Sequence, residues 1–126
     1  MNISVDIDFP KDLVINEIDT YTDNLIYNVA RITFDFTIDK KRVPYLSGNL
    51  QKATEGYGVE GGNKEYYLGV DDTVDYAQYV WDMPQKTHWT RKTTYAKWFK
   101  TEYKNEKELI MQKATENAKR GMRIHG

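Results

Sequence analysis

The stretch Arg31-Ile32-Thr33-Phe34-Asp35-Phe36-Thr37-Ile38-Asp39 decides the fold, because it satisfies two incompatible periodicities. Read alone, it alternates polar and apolar residues and is rich in β-branched side chains, as a half-buried strand requires. Read with the residues before it, it continues a different pattern. Leu13, Val14, Ile18, Tyr21, Leu25, Ile26, Val29, Ile32 and Phe36 recur at three- and four-residue steps, the mark of an amphipathic helix. The expectation is one long helix from about 11 to 40, with a strand over 31–39 as the alternative.

Upstream, Asn2 to Phe9 alternates with Ile3, Val5, Ile7 and Phe9 on one side, so a strand ending at Pro10 is expected. Downstream, Val43-Pro44-Tyr45-Leu46-Ser47-Gly48-Asn49-Leu50 reads as a corner: Pro44 removes a donor, and Ser47 and Gly48 permit a tight change of direction. Leu50 to Val59 and Lys64 to Val70 then flank the Gly-rich turn signal Glu60-Gly61-Gly62-Asn63, which predicts a hairpin. Asp71-Asp72-Thr73 is a turn or a helix cap. In Asp75-Tyr76-Ala77-Gln78-Tyr79-Val80-Trp81-Asp82-Met83-Pro84, one or two short apolar turns are stopped by Pro84. After a polar, basic loop or short strand over 85–94, Thr93 or Thr94 is placed to cap a last helix. Its apolar face would be Tyr95, Trp98, Phe99, Tyr103, Leu109, Ile110, Ala114 and Ala118, with Gly121 ending it. Together these elements predict one α+β domain over 1–126, its last few residues mobile. A small antiparallel sheet of about three to four strands would pack against a long N-terminal helix and a C-terminal helix.

Composition narrows the function classes. The 126 residues include no cysteine, which excludes disulfides, thiolate zinc sites and cysteine nucleophiles. His88 and His125 are too far apart to suggest a histidine metal cluster. The N-terminus has no basic segment leading into an apolar run, and no stretch reaches the roughly 18 apolar residues that span a bilayer. The expectation is a protein of the cytosol, or of a particle assembled there. Residues 1–85 carry 7 Lys/Arg and 15 Asp/Glu, net −8, while residues 86–126 carry 11 and 4, net +7, together the formal −1 of the chain. Such a division suits head-to-tail contact between copies. A merely solvated basic face on the last helix is the plainer account.

Catalytic signatures are weak. Asp71, Asp72 and Asp75 lack calcium-loop spacing, so a solvated turn is the better reading. His88 beside Thr87, Thr90 and Asp82 has no third partner or nucleophile motif. Gly56, Gly58 and Gly61 match a dinucleotide fingerprint in letters, but a strand pattern follows where the fingerprint needs a helix. Two surfaces are better candidates. Lys86, Arg91, Lys92, Lys97, Lys100, Lys104 and Lys107, interleaved with Trp89, Tyr95, Trp98 and Phe99, form the best nucleic-acid argument, although Trp98 and Phe99 fall on the apolar side of their helix. Tyr66, Tyr67, Tyr76, Tyr79, Trp81 and Trp89 cluster around the hairpin and the segment after it, and such aromatics favour protein contacts. Tyr66 and Tyr67 must point to opposite sheet faces, so one of them lies outside the core.

The order of these segments resembles the minor capsid, or head-tail joining, proteins of long-tailed phages and prophages of Gram-positive bacteria. The resemblance covers roughly residues 11 to 120. Ser47, Gly48 and Leu50 match that family's corner from the long helix into the sheet. Tyr76, Ala77, Tyr79 and Val80 match the segment after its hairpin, and Lys97-Trp98-Phe99 matches the opening of its last helix. Trp81-Asp82-Met83-Pro84 departs from the Glu-Phe-Gly-type turn often found there. The resemblance implies a structural virion protein of the neck, assembled in the host cytoplasm, that joins the DNA-filled head to the tail as a ring of subunits. It implies no enzyme activity and no cofactor. Its partners would be neighbouring copies and the connector or stopper, tail terminator or tail tube proteins, with DNA nearby and no membrane. Interface candidates are Tyr66, Tyr67, Tyr76, Tyr79, Trp81, Trp89, Arg91, Lys92, Lys97 and Lys100, set around the structural corner Pro44, Ser47, Gly48 and Leu50. The rival from another class is a small nucleic-acid-binding protein of a mobile element that uses the basic last helix.

Overall fold

The computed structural model describes residues 2–4, 19–45 and 47–125, with side chains described over 21–45 and 47–120. In chain order the elements are β1 (Asn2–Ser4), α1 (Asp19–Asp39), α2 (Asn49–Tyr57), β2 (Val59–Gly62), β3 (Glu65–Gly69), α3 (Ala77–Trp81), α4 (Trp98–Asn105) and α5 (Lys107–His125). The class is α+β, with five helices and a small antiparallel sheet among the described residues. The sheet is built on the β2–β3 hairpin, with the three-residue β1 on the far side of β3.

Residues 31–39 are helical, and α1 resolves the conflict of periodicities by being apolar on two sides. Leu25, Val29 and Ile32 pack with Ile110, Ala114 and Ala118 of α5. Ala30 and Phe34 face the other way, into a second cluster with Val43, Leu50, Leu68, Trp81, Trp98 and Phe99. The β-branched threonines that suggested a strand are accommodated within the helix. Thr33 Oγ1 donates to the Val29 carbonyl and Thr37 Oγ1 to the Thr33 carbonyl, each at 2.7 Å, so two fully buried hydroxyls are satisfied without leaving α1. The expected residues 11–18 of this helix, and residues 5–9 of the first strand, lie outside the described residues.

Helix α1 ends in a Schellman motif. Lys41 takes the left-handed conformation at φ 58°, its N–H reaches the Ile38 carbonyl, and the Arg42 N–H reaches Thr37 O at 2.9 Å. The corner that follows delivers the chain into α2, not into a strand. The expectation of a strand from Leu50 to Val59 is therefore corrected: Leu50, Ala53 and Thr54 are buried at helical spacing, and Thr54 Oγ1 donates to the Leu50 carbonyl. The hairpin turn also moves. Gly61 and Gly62 belong to β2, and the two turning residues are Asn63 and Lys64, with φ 52° and 69° as a type I′ turn demands. Gly61 stands opposite Tyr66, where a Cβ would lie 2.1 Å from the Glu65 carbonyl oxygen.

The final helix is two. Helix α4 begins at Trp98 with Lys97 left-handed before it and no side-chain cap, so neither Thr93 nor Thr94 caps it. Glu106 separates α4 from α5, and α5 continues through Gly121 to His125. Leu109, expected on the apolar face, is exposed. Helices α5 and α1 run antiparallel: Lys40 at the end of α1 meets Glu106, and Phe36, a turn earlier, meets Lys113 further along α5. Ala114 and Ala118, both fully buried, let the two helix backbones approach.

Gly61→Ala is expected to destabilise the protein by about 2 kcal/mol or more, read as a lower urea midpoint, because both the positive φ and the Glu65 carbonyl oppose a side chain.

Candidate interaction groove

The corner and the aromatic segment after the hairpin, about thirty residues apart in sequence, meet in space. They form two walls of a groove of about 380 Å³. Pro44, Tyr45, Ser47 and Leu50 supply one wall, Tyr76, Tyr79, Val80 and Met83 the second, and the loop residues Thr87, His88, Trp89 and Thr90 close it. Gly48, left-handed at φ 86°, sits under the Tyr45 ring, where a Cβ would come within 3.2 Å of it. Five large apolar side chains are strongly exposed among the described residues, and three of them, Tyr45, Tyr76 and Tyr79, line this groove. Tyr79 is 74 % exposed although it lies in a helix whose Ala77 and Trp81 are buried.

The loop rim is held by specific bonds. Arg91 stands 4.5 Å over the Tyr45 ring and donates to Gln51 Oε1 at 2.9 Å. Gln85 gathers the loop on itself: its carbonyl accepts from Trp89 Nε1, its amide donates to the Thr94 carbonyl, and its Oε1 accepts the Ala96 N–H. Below it, residues 41–42 and 93–95 are zipped by Thr93 Oγ1 to the Lys41 carbonyl and by Tyr95 N–H to the Arg42 carbonyl, and Arg42 lies 4.0 Å over the Tyr95 ring. Glu102 is fully buried under this joint, with Lys40 Nζ at 2.7 Å and Arg42 Nε at 3.3 Å.

The predicted interface residues divide. Tyr76, Tyr79 and Trp89 line the groove with Pro44, Ser47 and Leu50, and Arg91 braces it. Trp81 does not: it is 7 % exposed and meets Trp98 edge-on at 4.7 Å, so it is a core residue. Tyr66 and Tyr67 lie on the hairpin. Tyr66 turns inward, where its hydroxyl donates to Asp23 Oδ1 at 2.8 Å and Tyr27 packs edge-on against its ring. Asp23 Oδ1 also accepts the Lys64 N–H, so one carboxylate of α1 pins the hairpin turn. Tyr67 turns outward and donates to Glu65. Lys97 pairs with Asp82 at 3.6 Å, and Lys92 and Lys100 are exposed. Tyr45 and Met83 were missed as groove residues, although both stand within the two quoted segments. Asp71 directs its carboxylate at the N–H and hydroxyl of Thr73 in a local turn, and these bonds hold its pKa below the ordinary value.

Three groups hold their protons more tightly in the folded protein. Burial, with the Glu60 carboxylate beside it, raises the Tyr57 phenol. Burial and the hydrogen bond to Asp23 push the Tyr66 phenol up to about 12. Burial opposes the charge on Lys40, but Glu102 and Glu106 outweigh it and raise its pKa.

Fold and site define a small α+β domain with an open aromatic groove beside a basic loop. No known family model, no curated protein and no solved structure matches the chain. Among the described residues, no helix is long and apolar enough to cross a membrane.

Tyr79→Ser is expected to leave stability within about 0.5 kcal/mol of the parent, whereas Trp81→Ala should cost about 3 kcal/mol, both read from urea unfolding. In alkaline titration followed by tyrosine absorbance, one phenol should ionise near 12. Since Tyr66 and Lys40 both bind protons more tightly folded than unfolded, stability should fall as pH rises through 10 toward 12.

Proposed function

We propose that this chain is a structural virion protein of the phage head-tail interface, joining the filled head to the tail as a ring of subunits by adhesion without turnover. The observation that carries the reading is the groove. The two segments on which the resemblance to neck proteins rests, 43–50 and 75–84, build one exposed aromatic surface. Exposed tyrosines on a rigid rim are suited to protein contact, since they bury large area at little cost in conformational entropy. The family's corner leads into a sheet and this one into α2, so the likeness lies in order and spacing more than in local backbone. In this reading the neighbours are other copies, the connector or stopper, and the tail terminator or tube, and the protein resides in the virion neck.

The rival reading, nucleic-acid binding, has one observation in its favour: Lys100, Lys104, Lys107 and Lys113 are all exposed on α4 and α5. Trp98 and Phe99 are fully buried, however, and do not present faces on which bases could stack. Electron microscopy of lysates from a prophage lacking this gene decides between them. Filled heads beside finished, unattached tails are expected. Intact infectious particles, together with salt-sensitive DNA binding by the purified protein, would replace the neck reading with the rival.

A further inference from the structure

The groove and the hairpin carry opposite charge at opposite ends of one helix. From Met83 to Thr101 the chain has no Asp or Glu, and the loop that closes the groove carries Lys86, Arg91 and Lys92. The opposite wall is flanked by Asp75 and by Asp82, the latter paired with Lys97 at 3.6 Å; the lining itself holds no acid. On the hairpin, register fixes which residues share a face. Val59 pairs with Leu68 and Gly61 with Tyr66 on the inner side, which leaves Glu60 directly opposite Tyr67 on the outer side. Glu65, two residues before Tyr67, is on that same outer face and accepts its hydroxyl. The hairpin therefore presents an acidic surface with tyrosine area at its centre.

Helix α2 separates the two surfaces. Leu50, in its first turn, lines the groove, and Tyr57, its last residue, enters β2 through Gly58. Nine helical residues span about 13 Å, so the hairpin of a molecule is held away from its own groove. A groove meeting a second groove would set cations against cations, and a hairpin meeting a hairpin would set carboxylates against carboxylates. The pairing with the least like-charge contact is groove with hairpin, the hairpin carboxylates meeting the loop side of the groove.

We infer that the aromatic groove receives the outer face of the β2–β3 hairpin from a second copy of this chain, Tyr67 meeting the tyrosines of the groove and Glu60 and Glu65 meeting the loop cations. The contact is heterologous: each copy keeps one unused groove or hairpin at either end of a dimer, so assembly continues until it closes as a ring or extends as a filament. This rests on the ring arrangement in the proposed function and names the surfaces that form it.

The test uses the absence of cysteine. Gly62→Cys and Thr90→Cys each place a single thiol at an exposed position, one on the hairpin opposite Glu65, where a Cβ meets open space, and one on the groove rim. When the two variants are mixed at high protein concentration in low salt and oxidised, the mixed disulfide dimer should exceed either homodimer by about tenfold, because that pairing sets the fewest like charges together. High salt should reduce the excess. Lys92→Glu in the Thr90→Cys partner should remove it, and Glu60→Lys in the Gly62→Cys partner should then restore it. A statistical mixture of dimers, no covalent dimer, or an excess indifferent to salt and charge overturns the contact. The lysate phenotype reports separately. Unattached tails with a statistical disulfide mixture leave the neck reading standing and this contact refuted, and infectious particles with a selective mixed dimer do the reverse.

Discussion

Everything else in the structure depends on α1 being buried from two sides. A helix with one apolar stripe can sit at the edge of a domain, but α1 offers Leu25, Val29 and Ile32 to α5 and Ala30 and Phe34 to the sheet and α4. It therefore becomes the central post between two apolar clusters. The polar residues this would strand in the interior, Thr33 and Thr37, bond back to their own helix. Had they needed outside partners, neither neighbouring layer could have closed on α1 without unsatisfied hydroxyls.

The charge division of the chain is partly undone inside the molecule, and that is what makes it legible at the surface. Lys40 and Arg42, bases of the acidic half, meet Glu102 and Glu106, acids of the basic half. Two minority charges from each half thus neutralise each other at the joint between α1, the 93–95 segment and α4. The majority charges are left outward: carboxylates on the hairpin and the 71–75 turn, cations on the loop and the last two helices. The joint also holds the base of the loop that rims the groove, so one buried ionic arrangement helps to anchor the site. Removing the Glu102 carboxylate would leave Lys40 and Arg42 at a joint built around an acid, and the groove's loop would lose its footing.

How much was readable before folding differs from element to element. Helix α1 was visible from its apolar spacing through 36, and the ambiguity over 31–39 arose because two apolar faces on one helix imitate alternation. The hairpin is visible, but its turn signal, Glu60-Gly61-Gly62-Asn63, is centred on the two glycines, since glycine is the usual signal for positive φ. Here Asn63 and Lys64 take those angles, and Asp23 from α1 fixes Lys64. The strand expected over 50–59 failed for a similar reason: Leu50, Ala53 and Thr54 are too few to declare a helical period without the core they face. Of the aromatic candidates, Tyr76, Tyr79 and Trp89 could be named from composition, yet nothing local separates an exposed Tyr79 from a buried Trp81 two residues on.

What the sequence by itself determined is what local spacing and composition can encode: the α+β class, the long first helix, the hairpin, the Pro44 corner, and a chain acidic in one part and basic in the other. What only the tertiary structure decided is which residues became neighbours. The corner and the 75–84 segment form one groove because α2 and the Gln85-fastened loop bring them together, and Trp81 is lost to the core because Trp98 lies across it. Periodicity is set by bonds between near residues and is written in the chain. Burial of a particular side chain is set by which distant element packs over it, and that exists only once the chain has closed on itself.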